Sequence, residues 1–223
     1  MEKIESLKDF RPTAGQSYSV GWRRMFKYFL YAFLAIVFLG IINAPVGWTH
    51  EIKHIHFPIM FNFFGIFTVV YFFFLAAPLQ YGAKKVFLSI IREDEHINMN
   101  DLFYGFKDYL NIVLTNLLLS AIIGIGFVFL IVPGIIFACR LSFAPFLVVD
   151  KKLDAVKAVE ESWRMTKGHG WTIFLMALMT IPIGIAGLAC LGIGIIFSII
   201  WASLAFTAIY AIVLARKEQA VTV

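Results

Sequence analysis

The chain has 223 residues, of which 61% are hydrophobic, 17% aromatic and only 15% charged. A soluble domain is nearer half apolar and about a quarter charged, so this composition excludes an ordinary water-soluble globule and points to an all-α integral membrane protein. The net charge of +5 would suggest nucleic acid in a soluble protein. Here the cations sit in short connectors beside apolar runs, which points to membrane topology and anionic lipid headgroups instead, with no nucleic-acid partner.

Residues 1–24 read as a polar N-terminal arm. They lack the basic start, short apolar core and small-residue site of a cleavable signal. Ser19 is a candidate cap for a helix beginning at Val20. The first apolar run, 25–43, is long enough to span a bilayer and stops at Asn43-Ala44-Pro45. A loop bearing His50, Glu51, Lys53, His54 and His56 follows. The second run, 58–79, is rich in Phe and contains Asn62, and Pro78 is expected to kink or end it.

Residues 80–109 form a long polar connection. Val86, Phe87, Ile90 and Ile91 give it a partial helical stripe, so part of it is expected to continue the second span. Asp101 to Phe106 reads as a second short amphipathic piece. The third run is 110–131, with a tight turn expected between Gly124-x-Gly126 and Pro133-Gly134, and the fourth is 134–149. Residues 150–169 are the second long polar connection. The fifth run is 171–190, Gly192 and Gly194 mark a turn, and the sixth is 195–215.

Six transmembrane helices, arranged as three hairpins, put both termini on one side. Every one of the 19 Lys and Arg residues then falls on that side except Lys53 in an opposite loop and Arg140 within a span. The positive-inside rule makes that side cytoplasmic, which gives a multi-pass protein of the cytoplasmic membrane. The domains are then the arm 1–24, a six-helix transmembrane domain 25–215 and a cytoplasmic tail 216–223. A weak repeat fits the hairpins. Ala77-Pro78 and Lys84-Lys85 recur 67 residues later as Ala144-Pro145 and Lys151-Lys152.

Arg140 is the first candidate functional residue. It lies six residues past Gly134, about 9 Å along a helix, and so is expected within a hydrocarbon core about 30 Å thick. A charge there needs a partner, and no span holds an Asp or Glu. Asn62, Asn116, Ser120 and the carbonyl of Leu141 are the candidates. Arg140 either contacts a lipid phosphate, anion or substrate, or is a structural arginine bonded internally.

Residues 153–167 form a cytoplasmic amphipathic interfacial helix. Leu153, Val156, Val159 and Trp163 make its apolar stripe. Asp154 is a candidate cap, Glu160 and Arg164 an i,i+4 pair, and Gly168 suits the position after the helix. Trp163, Arg164 and Lys167 are candidate lipid or partner contacts; a cover for the bundle is the plainer role. His50-Glu51-Ile52-Lys53-His54 matches the H-E-x-x-H zinc pattern, with His56 as a further ligand. The pattern needs both histidines on one helix face, and a short loop between Pro45 and Pro58 leaves little room for one. No bound cofactor is expected, and no P-loop, dinucleotide fingerprint or intramembrane carboxylate pair occurs.

Four strings carry a resemblance. They are Asp101-Leu102-Phe103 with Gly105-Phe106-Lys107, then Ile131 to Ile136, then Ala144-Pro145-Phe146, then Glu161 to His169. In this order they resemble a family of bacterial polytopic membrane proteins of unknown function, similar in pattern to the membrane domain attached to some glycerophosphodiester phosphodiesterases. The resemblance covers about 80–215 and is poor before that. It implies a six-helix plasma-membrane protein and brings no activity or catalytic residue. The expected function is therefore a non-enzymatic accessory, scaffold or lipid-interacting membrane protein, with membrane lipids, a second copy or a membrane protein as partners. A small transporter with Arg140 in a polar cavity is the alternative, and a metalloprotease using His50, Glu51 and His54 is a distant third.

Overall fold

The computed structural model describes residues 7, 10–48, 67–94, 96–189 and 193–222. All the regular structure among them is helical. Four helical stretches are long and apolar enough to cross a membrane: Tyr109–Phe129, Ile131–Lys151, Gly170–Ala189 and Gly194–Gln219. A fifth is added if the bent pair Ala14–Lys27 and Phe29–Asn43 counts as one. Of the expected second span, 58–79, residues 58–66 lie outside the described residues and 67–79 are helical.

The arm is more ordered than its polarity suggested. Helix α1 (Ala14–Lys27) follows Thr13 and buries Ser17, Tyr18, Val20, Gly21 and Met25. Ser19 is therefore inside a helix and caps nothing; Arg23 donates to its hydroxyl. The chain breaks at Tyr28, where φ is −120° and ψ 32°, and α2 (Phe29–Trp48) leaves at 99° to α1. Arg24 and Lys27 both reach Glu93, which ties the corner to the end of the central helix.

That central helix continues through Pro78. Residues 67–71 are helical, Phe72–Ala76 form a π-turn, and α3 runs over Ala77–Arg92. Proline is tolerated in the first turn, where its missing N–H has no partner to lose, and the wider π-turn absorbs the adjustment. Pro145 takes the same place at the start of α6 (Ala144–Lys151). Both helices end on a left-handed residue, Glu93 at φ 55° and Lys152 at φ 52°. The repeated Ala-Pro string thus marks a π-to-α transition in one helix and a helix start in the other. A 3-10 helix, Met99–Phe106, lies across α3, held by the Lys85–Asp101 ion pair at 2.8 Å.

Helix α4 (Tyr109–Phe129) runs straight through Gly124 and Gly126, and α5 (Ile131–Leu141) begins before Pro133. The turn is a single extended residue, Leu130, at φ −165° and ψ 148°. Ser142 and Phe143 separate α5 from α6. The amphipathic helix α7 spans Ala155–Met165, and α8 spans Gly170–Ala189. The last helix, α9 (Ile193–Thr222), contains Gly194 and continues past the expected end at residue 215.

The core is formed by α3, α6 and the C-terminal half of α9, where Leu204, Ala208, Ile209, Tyr210 and Ile212 are fully buried. Helix α1 packs across α9: Trp201 donates its indole N–H to the carbonyl of Tyr18 at 2.9 Å. By contrast Val128, Phe129, Leu130, Ile131 and Val132 at the α4–α5 turn are each at least 65% exposed. Water would penalise five consecutive apolar residues left uncovered.

Candidate ligand-binding groove around Arg140

Helix α5 ends one residue after Arg140, so its last carbonyls have no helical donors. Helix α7 supplies them. Ser162 donates to the Arg140 carbonyl at 2.8 Å and Thr166 to the same oxygen at 3.0 Å. The amide of Phe143 in turn donates to the Ser162 hydroxyl at 3.2 Å. Ser162 and Thr166 are four residues apart and so share one helix face, the face that also buries Ala155, Ala158 and Met165.

The expected stripe of α7 is therefore split: Leu153 and Val159 pack against the core, while Val156 is 69% and Trp163 41% exposed. Asp154 makes no side-chain cap. Asn111 of α4 does its work, accepting the amide of Ala155 at 2.9 Å and donating to the carbonyl of Leu153 at 2.9 Å. Arg164 pairs with Glu161 at 2.6 Å and not with Glu160, and Lys217 shares the same carboxylate. Lys167 is exposed, and Gly168 has a left-handed φ of 89° but lies two residues past the cap Thr166, not directly after the helix.

With its backbone pinned, Arg140 projects its side chain into a groove of about 500 Å³ between α5 and α8. Its guanidinium carbon lies 5.4 Å from the Trp163 ring centre, a cation–π distance. Phe137 packs on the same indole, with ring centres 5.8 Å apart. The groove walls are Val132, Ile135, Ile136 and Cys139 on one side and Gly170, Trp171 and Phe174 on the other. The Arg140 Nε lies 3.9 Å from where a β-carbon on Gly170 would be. The guanidinium is thus level with the first residue of α8. One nitrogen, Nη1, is buried with no hydrogen-bond partner among the described residues. A buried donor left open costs about 1–3 kcal/mol, and more when charged.

Asn116 is not that partner. Its own Nδ2 is buried without one, and Ser120 is exposed. Asn62 lies outside the described residues, as do His50, Glu51, His54 and His56. Among the described residues no three His, Cys, Asp or Glu side chains group as metal ligands.

Trp171, Phe174 and Gly170 complete the groove, and nothing in the sequence joins them to Arg140, because only tertiary packing brings α8 against α5. A second unforeseen cluster lies nearby in the fold. Arg92, read as part of a polar connection, makes a bidentate pair with Asp150 at 2.6 and 2.7 Å. Tyr210 of α9 donates to the same carboxylate at 2.8 Å, with its ring stacked on Phe146 at 5.0 Å. Fork-to-fork pairing of this kind is strong and directional. It clasps α3, α6 and α9 together, whereas the Arg140 guanidinium has no such carboxylate partner among the described residues.

The profile of a family described as a domain of unknown function, DUF7847, matches residues 99–223. The match takes in α4 to α9 and so the whole groove, and it carries no link to glycerophosphodiester phosphodiesterases. No curated protein and no solved structure matches the chain.

Proposed function

The chain belongs to the DUF7847 family, and we propose that it is a non-enzymatic multi-pass protein of the bacterial cytoplasmic membrane that holds an anionic lipid in the α5–α8 groove. The supporting observation is Arg140 as the one charged residue lining a groove whose other walls are apolar, with its buried Nη1 left without a partner. Acyl chains suit such walls, and a phosphate or carboxylate suits the guanidinium. Six spans in three hairpins, with both termini cytoplasmic, set the frame, because the cations then gather on one face. In that frame the start of α8 is the cytoplasmic end of a span. Arg140, expected from its distance to Gly134 to lie within the hydrocarbon core, is instead level with that end, and at headgroup depth a charge costs far less than at the bilayer centre. Trp171, 71% exposed at the same level, suits the aromatic belt.

The test is mass spectrometry of lipids retained through purification, comparing wild type with Arg140→Leu. The wild type is expected to retain anionic lipid and the variant several-fold less. Equal anionic lipid content in two folded proteins would overturn the proposal.

A further inference from the structure

A second recess, of about 490 Å³, lies where the end of α7, the Thr166–His169 link and the end of α9 meet. Arg164, His169, Arg216 and Lys217 line it, with Met165 and Val213 as its apolar floor. Glu161 is shared between Arg164 and Lys217. Arg216 is fixed differently, since its Nε donates to the backbone carbonyl of Phe10 at 3.1 Å and so spends none of its charge there. His169 is set by the left-handed Gly168 before it and by its amide bond to the Thr166 carbonyl at 2.9 Å. Burial and the neighbouring Arg216 both push its imidazole below the ordinary value.

Surface cations that merely obey membrane topology point apart into solvent. Here side chains from two helices and a link line one concave site, and the one carboxylate shown pairing with its cations, Glu161, is shared by two of the three, Arg164 and Lys217. We infer that this recess binds a phosphate group, taken between Arg164, Arg216 and Lys217 with His169 as a further donor. Planar guanidinium forks match phosphate oxygens in pairs, and an ammonium adds a point charge. The chemistry is common to a lipid phosphomonoester and to free phosphate. The site shares no lining residue with the Arg140 groove, so the two proposals stand or fall separately.

The test uses the full chain, labelled with ¹⁵N-histidine, in phosphatidylcholine nanodiscs. The His169 ring signals are assigned by their loss in His169→Gln. Inorganic phosphate is titrated in one arm, and phosphatidic acid replaces part of the phosphatidylcholine in the other. A saturable movement of the His169 signals is expected. Movement in the first arm marks free phosphate as a sufficient ligand, and movement in the second alone marks a lipid headgroup. Arg164→Gln with Arg216→Gln should weaken the response about tenfold or more. Glu161→Gln keeps every cation and removes the competing carboxylate, so it should tighten binding about threefold or more. Arg140→Leu should leave the response unchanged. His169 signals unmoved in both arms, or Glu161→Gln and the double variant both responding like wild type, would overturn the inference.

Discussion

Ser162 and Arg140 meet side chain to backbone: the hydroxyl donates to the carbonyl at 2.8 Å while accepting the Phe143 amide at 3.2 Å. One buried oxygen thus closes the end of α5 and opens the way into α6. Ser162→Ala removes both bonds and strands a buried amide. The expected loss is about 1–3 kcal/mol, read as a lower melting temperature in detergent. Thr166→Ala should cost less, because Ser162 would still serve the Arg140 carbonyl. If Ser162→Ala melts like wild type, the contact is not what fixes the Arg140 backbone.

Two glycines set the seat of the 3-10 helix on α3. A β-carbon on Gly82 would stand 1.9 Å from the Leu102 carbonyl oxygen, and one on Gly105 would stand 1.9 Å from that of Pro78. The obstacle in each case is backbone, which cannot rotate aside. Gly82→Ala and Gly105→Ala should therefore each cost about 3 kcal/mol or more, beyond ordinary overpacking. Gly124→Ala is the control. Nothing lies within 4 Å of its β-carbon position, and alanine there should be neutral or stabilise by about 0.5–1 kcal/mol. Comparable melting of all three variants would refute the crossing geometry.

The helices were legible in the sequence because long apolar runs leave few other structures. Their ends were less so. Pro78 and Pro133 look like stops, but Pro133 falls in the first turn of α5, where proline loses no hydrogen bond, and Pro78 sits just past a π-turn that lets the helix run on. The real break, Leu130, has no composition to mark it. The facing of α7 was legible only in part. Leu153 and Val159 of its apolar stripe pack on the core, but small residues, Ala155, Ala158 and Ser162, make the closest approach and are buried, while Val156 and Trp163 are exposed. Arg140 stood out as a lone charge within an apolar run. Its surroundings did not, since Trp171 and Phe174 reach it only through packing of α8 on α5.

His169 gives the fold a one-sided sensitivity to acid. Its ring is partly buried in the basic recess, with Arg164, Arg216 and Lys217 around it and Glu161 as the nearby acid. Burial first, and then the Arg216 charge, lower its pKa from the ordinary 6.5. In the unfolded chain the imidazole takes up a proton near 6.5, whereas in the folded protein it stays neutral to lower pH. The unfolded state then binds more protons over that interval, and stability rises with pH there. The contribution is fully present above about pH 6.5 and is lost as pH falls through the lowered folded value. Wild type should therefore melt progressively earlier from pH 6.5 downward, and His169→Gln should flatten that part of the profile while matching wild type near pH 8. A bound phosphate would offset the repulsion from Arg216 and favour the charged ring, so phosphate should protect the wild type most at acid pH. Parallel melting profiles for wild type and His169→Gln would show that His169 carries none of this linkage.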